Sequence, residues 1–223
     1  MNISHPDSNR STDDTARFRS LWLRQQQPDL ADGSQAVYQK LLDAYNEPHR
    51  VYHNLEHIGS CLTIFDRVSE LLVNPDAVEL AIWFQDVVYK IGDSDNEQLS
   101  ANLFMTLTDG LFSDKIRGRV YQHIMATCHD CSTIADGDTK LMVDIDLSSF
   151  GLPWTEFLRD SKKVRAEMSH MSDAEYYQKQ TSFQMALLNK PSFFNSDYFC
   201  KHYETQARSN LDNLFKLIKS DAL

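Results

Sequence analysis

The stretch P-D-A-V-E-L-A-I-W-F-Q-D-V-V-Y, Pro75 to Tyr89, decides the fold. Asn74-Pro75-Asp76 reads as a helix start, because a first-turn proline lacks only an N–H that had no helical partner. From Ala77 to Tyr89, apolar side chains fall on every side: Val78, Leu80, Ala81, Ile82, Trp83, Phe84, Val87 and Val88. A helix that is apolar all round belongs in the middle of a core. The spacing predicts a central buried helix over Ala77–Tyr89, with other helices packed about it.

The flanking segments carry the same period. Phe18, Leu21 and Trp22 recur at helical spacing, as do Val37, Leu41, Leu42 and Tyr45. The latter run stops near Glu47-Pro48, because the residue before a proline avoids the helical region. His57 to Leu72 forms another helix. Asp95 opens one through Leu107, and Ser113 or Asp114 opens one through about Cys128. Lys140 to Leu147 fits a strand equally well by period, but no partner strand is evident, so it is read as helix. Trp154–Met171, Asp173–Leu188 and Asp197–Lys219 complete the set, with Ser172 and Glu175 spaced as a capping box. Seven Gly and six Pro in 223 residues are too few for a turn-rich sandwich or barrel. The expectation is an all-α bundle, one domain over 13–223, after a polar N-terminus (1–12) that frays.

Hydrophobic residues are 42% and charged residues 24%, an ordinary globular mix, and the net charge is −10. That acidity argues against a polymeric nucleic-acid partner, which needs surplus Lys and Arg. A small anionic substrate stays compatible, because a bound metal reverses the local field. No apolar run is long enough for a bilayer, and the first residues lack the apolar stretch of a signal peptide. The four Cys read as free thiols in a reducing cytoplasm. A homo-oligomer is compatible with all of this.

The chemistry gathers in three places. E-P-H-R-V-Y-H-N-L-E-H-I, Glu47 to Ile58, sets His53 and His57 four apart, on one face if both are helical. Asp86 lies among large hydrophobes after the central helix. Asp144 and Asp146 lie in V-D-I-D-L-S-S-F-G, Val143 to Gly151. Carboxylates in apolar surroundings are costly unless paired or bound to a metal, so one shared cation is an economical explanation.

At these residues the chain resembles the HD superfamily of metal-dependent phosphohydrolases, and more closely a bacterial branch of predicted hydrolases. The stretches similar to that branch are EPHRVYHNLEHI, ELAIWFQDVVY, DNEQLSA and DIDLSSFG, in that order. The resemblance implies an HD-domain helical bundle with a divalent metal (Mg, Mn, Fe or Co) between helices. Its ligands would be His57, Asp86 and Asp146, the last preferred to Asp144 because related D-x-D segments use the second carboxylate. The family's doublet has His where this chain has Gln85, a poorer ligand, so metal binding would be weak or absent. The branch also places an Arg near Gln180, a phosphate contact missing here.

With a metal, the chain would hydrolyse a nucleotide or other small phosphoester. His53 would be the general acid, as in related cyclic-nucleotide phosphodiesterases, and Glu97 would orient water or a ligand. Arg50 and Arg165 would clamp phosphate, and His129 would touch substrate or a second metal. Without a metal, the same pocket would bind a ligand or protein as a pseudoenzyme.

Plainer readings stand beside these. His53 and His57 would serve as half-buried helix histidines, and Asp86 as a helix cap or an Arg50 partner. One of Asp144 and Asp146 would be only a helix cap. Cys128-His129-Asp130-Cys131, with no second cluster, is too little for a structural zinc site. The charges of RDSKKVRAE, Arg159 to Glu167, read as a solvated helix face.

Overall fold

The structure, a computed structural model, describes residues 10–129, 134 and 136–220, with side chains from residue 14 onward. In chain order the helices are α1 (Arg10–Gln25), α2 (Ser34–Tyr45), α3 (Leu55–Val68), α4 (Pro75–Phe84), α5 (Asn96–Leu107), α6 (Asp114–Ala126), α7 (Gly137–Asp146), α8 (Trp154–Glu167), α9 (Asp173–Leu188), α10 (Asp197–His202) and α11 (Glu204–Lys219). Among the described residues there is no β-strand, only an isolated bridge between Gln26 and Phe112. The fold is an all-α, multi-helix bundle. No described helix is long and apolar enough to cross a membrane. Residues 1–9 of the polar N-terminus lie outside the described residues, and α1 begins at Arg10.

The central helix is α4, whose first turn is capped by the Asn74 side chain accepting from the Ala77 N–H. Val78, Leu80, Ala81, Ile82 and Phe84 are fully buried, and α4 packs against α3, α5, α6 and α7. Apolar side chains from α1 through α11 join one continuous core cluster.

The helix ends at Phe84, five residues before the expected Tyr89. The buried Arg50 guanidinium donates to the Asp86 and Val87 carbonyls, at 2.5 and 3.0 Å. The Val88 N–H donates to Ser100 Oγ at 3.0 Å. Backbone groups with partners outside the helix have no need to continue it. The chain turns instead and sets Asp86 sideways.

The expected last helix, Asp197–Lys219, is two helices broken at Tyr203. The Glu204 carboxylate accepts from the Phe193 N–H at 2.9 Å and the Phe194 N–H at 3.2 Å, tying the start of α11 to the preceding loop. Tyr203 also packs on the backbone of Gly151, where an added Cβ would stand 2.8 Å from Tyr203 Cβ. That close approach requires glycine.

Asp144 is buried on α7. It accepts the backbone N–H and side-chain amide of Asn195, both at 2.8 Å, and the N–H and hydroxyl of Ser196, at 2.8 and 2.6 Å. It anchors the entry to α10. Asp146 points elsewhere.

Candidate functional site

The Asn54 side chain accepts from the Glu56 N–H at 2.9 Å and caps α3. His53 therefore precedes the helix and His57 sits in its first turn. The two do not share a helix face. Their rings still approach, with centroids 6.0 Å apart, because the turn folds back over α3.

Three elements meet at His57. Its Nε2 lies 3.2 Å from Asp146 Oδ1, at the end of α7, and 3.5 Å from Asp86 Oδ2, just past α4. Cys61, one turn further along α3, brings Sγ to 3.8 Å from His57 Nε2. The ligand atoms of His57, Cys61 and Asp146 all lie within 4.8 Å of one another. This buried cluster is geometrically suited to hold a divalent metal ion, as a metal-binding enzyme would carry. The other Asp146 oxygen lies 2.9 Å from His129 Nε2, and His129 takes a positive φ of 57° to reach it.

No protein family, curated protein or solved structure matches the chain. The expected membership of the HD superfamily is corrected by the cluster itself. The group that converges is His57, Cys61 and Asp146, not a His–Asp doublet with Gln85 standing in for histidine. Gln85 turns its amide nitrogen to the hub, 3.1 Å from His57 Nε2, and donates to Asp146 Oδ1 at 2.9 Å and Asp86 Oδ2 at 3.3 Å. An amide N–H donates hydrogen bonds and does not ligate a cation. Its Oε1 is buried without a partner.

The cluster opens on a cavity of about 230 Å³. His53, His57 and His129 line it, with the carboxylates of Asp86, Glu97, Asp146 and Asp160. Among the described residues, neither Lys nor Arg does. Both arginines expected to clamp phosphate are engaged elsewhere. Arg50 takes the carbonyls after α4 and pairs with Glu47 at 3.0 Å, and it donates to the Asp86 backbone rather than the carboxylate. Arg165 takes the Met168 and Met171 carbonyls after α8, at 2.8 and 2.9 Å, and pairs with Asp173. Each guanidinium ties down carbonyls in the turn just past a helix end.

Burial works against ionising Asp146, yet His129 and His57 hold its carboxyl far below the ordinary range. Burial also opposes a charged His57. Cys61, Tyr52, Asp146 and Asp86 outweigh it and raise that imidazole well above its ordinary value. Burial pushes the Cys61 thiol up, and burial, Asp86 and Asp146 push Glu97 up. A metal ion entering such a cluster reverses this logic, because its ligands must shed their protons.

Two residues escaped the sequence reading. Cys61 had a signal, the i, i+4 spacing from His57 on one helix. Glu167 had none: it closes the charged run of α8, yet it is 1% exposed. One of its oxygens accepts the N–H groups of Val51, Tyr52 and His53, at 2.7 to 2.9 Å. The other lies 2.6 Å from His53 Nδ1 and accepts the Tyr89 hydroxyl at 2.8 Å. Burial opposes the charge on Glu167, but these contacts, His53 first, hold it down to about 2. The ring nitrogen of His53 left for the cavity is Nε2. Of the Cys128–Cys131 stretch, Asp130 and Cys131 lie outside the described residues.

Proposed function

We propose that this cavity is the centre of a metal-dependent hydrolase acting on a small phosphoester. One observation carries the reading: carboxylates and imidazoles converge in a partly enclosed cavity without a lysine or arginine in its described wall. Such a wall repels a phosphate until a cation neutralises it.

The residues fit that cation. His57, Cys61 and Asp146 supply one nitrogen, one sulfur and one oxygen, with Asp86 3.5 Å from His57 beside them. A thiolate in the set favours zinc, iron or cobalt over the oxygen-seeking Mg²⁺. A ligand thiol also suits a reducing compartment such as the cytoplasm. When bound, a divalent cation supplies Lewis-acid neutralisation of phosphoryl charge and makes water more acidic.

The protein's own groups do the rest. Glu167 receives the His53 Nδ1–H and so holds the ring with Nε2 towards the cavity, from where the imidazolium form gives its Nε2 proton to the leaving oxygen. Glu97, kept basic by burial and acidic neighbours, takes a proton from water. His129 steadies Asp146 from the far side.

The test is turnover of p-nitrophenyl phosphate esters and nucleotides with Zn²⁺, Fe²⁺, Co²⁺, Mn²⁺ or Mg²⁺, with metal content measured in parallel. Activity is expected with a thiophilic metal, lost in Asp146→Asn and strongly reduced in His53→Gln. No turnover with any of the five metals would refute the reading.

A second reading has its own observation. The Gln85 amide nitrogen occupies the hub where His57, Asp86 and Asp146 converge. On that reading the amide replaces the cation, and the cavity binds a ligand without hydrolysing it. Stoichiometric metal in the purified protein would exclude this, whereas metal affinity that emerges only in Gln85→Ala would favour it.

A further inference from the structure

The cavity has a second wall of different chemistry. Its acidic and imidazole groups come mainly from α3, α5, α7 and the turn after α4. The opposite elements, α8, α9 and the turn before α8, bring Phe150, Phe157, Phe183, Gln180 and Gln184, with Asp160 the one carboxylate among them. Phe150 and Phe157 are in ring contact at 5.8 Å. Phe183 lies against the His129 ring at 6.1 Å.

Two polar atoms on cavity-lining residues lack partners, one in this wall and one facing Phe183 from the other. Gln184 is 2% exposed, lines the cavity, and its Oε1 is buried with no hydrogen bond. His129 also lines the cavity, and its Nδ1 is buried without a partner. Buried carbonyls and imidazole nitrogens are nearly always satisfied, because desolvating them unpaired is costly. An unpaired amide oxygen on a residue that lines the cavity is a place for an N–H from outside the chain. Gln180 lies one helical turn earlier on the same face of α9 and lines the same cavity.

Ligand chemistry follows from these groups. Aromatic side chains favour a flat partner with a π-face, and a glutamine amide matches an edge that pairs donor with acceptor. Nucleobases combine both properties and are bound by stacking and edge hydrogen bonds wherever they are presented singly. We propose that the α8–α9 side of the cavity is a nucleobase subsite, with Gln184 reading the base edge and Phe183 packing on its plane. The substrate class is then a nucleoside phosphoester. What happens to that ester rests on the hydrolase reading, whereas binding of the base does not.

The experiment uses the full chain stripped of metal by EDTA and titrated calorimetrically with adenosine, guanosine, cytidine, uridine and ribose 5-phosphate. At least one nucleoside is expected to bind, and ribose 5-phosphate is not. Gln184→Leu should weaken the preferred nucleoside by about tenfold or more. Its Tm should be unchanged or higher, because the substitution removes an unpaired buried carbonyl. Gln184→Glu should alter the order of preference among bases. If Gln184→Leu does not fold, Phe183→Ala, at a half-buried position, carries the same test of affinity. Absence of binding by all four nucleosides, or binding indifferent to these variants, overturns the subsite. In the metal-loaded protein, ribose 5-phosphate hydrolysed as fast as nucleotides would also overturn it and leave the hydrolase reading standing. Nucleoside binding without hydrolysis of any nucleotide would uphold the subsite and remove the hydrolase.

Discussion

Asp144 and Asp146 sit two residues apart on α7 and live in opposite surroundings. Residues i and i+2 do not share a helix face, so one turns to the α10 entry and the other to the cavity. Asp144 is fully buried and met by four donors from Asn195 and Ser196, two of them backbone N–H groups. Asp146 is 16% exposed at its side chain and meets His57, His129 and Gln85. A carboxylate locked by backbone donors fixes chain path. One met by titratable and displaceable side chains can exchange them for a cation or a ligand.

The comparison can be broken most forcefully at Asp144. Asp144→Ala strands four part-buried donors around a buried site and should cost about 2–4 kcal/mol in urea unfolding. A loss no larger than that of Asp146→Asn would contradict the division of roles.

Acid sharpens it next, through a buried group in neither environment. His123 has Nδ1 3.0 Å from Thr139 Oγ1, an unpartnered Nε2, and a pKa that burial lowers to about 4. The unfolded chain takes up this proton near the ordinary value of 6.5, whereas the folded protein waits until about 4. Within that window the unfolded state binds more protons. Stability is therefore full above 6.5 and declines as pH falls towards 4, by roughly 3 kcal/mol in all. His123→Leu should flatten this limb of a stability–pH curve, and an unchanged limb would assign it to other groups. Any further decline below about 4.5 includes Glu167, whose lowered pKa stabilises the fold above its unfolded value and ceases to do so as pH approaches 2.

Gly151→Ala tests the scaffold side without touching a charge. Its Cβ would meet Tyr203 at 2.8 Å, and the expected loss of Tm corresponds to about 1–3 kcal/mol. A fully stable variant would show that the break between α10 and α11 is compliant. Asp146→Asn should abolish divalent-metal binding measured by equilibrium dialysis. In metal-free protein it should cost less in folding than Asp144→Ala, because the amide keeps an oxygen that accepts from the facing side chains.

The sequence revealed helices where their apolar faces were periodic, and α4 most clearly because apolar residues surround it. Helix ends were less legible. The stop at Phe84 depends on Arg50, more than thirty residues earlier, and the stop at Glu167 on carbonyls that Arg165 caps. Neither the long reach of Arg50 nor the fold of Arg165 onto the end of its own helix is marked by apolar spacing. The same blindness made both arginines resemble phosphate clamps. At the site, His57 and Asp146 could be singled out because polar residues in apolar runs are conspicuous. Cys61 is apolar enough to pass for core, and Glu167 hid in a charged run that reads as a solvated helix face. The family resemblance directed attention to a doublet at Gln85 and Asp86 and away from Cys61, the side chain that completes the cluster.

His129 carries one last consequence. Its left-handed backbone is a conformation that side-chain-bearing residues avoid by about 1–2 kcal/mol, and only glycine adopts it freely. Selection for robustness alone would favour glycine at 129, with part of the gain returned through a more flexible unfolded chain. Glycine would also delete the imidazole beside Asp146. Heat tolerance and chemistry thus pull this single position in opposite directions, and a screen for thermostable variants should find substitutions here that leave the protein sturdier and its pocket impaired.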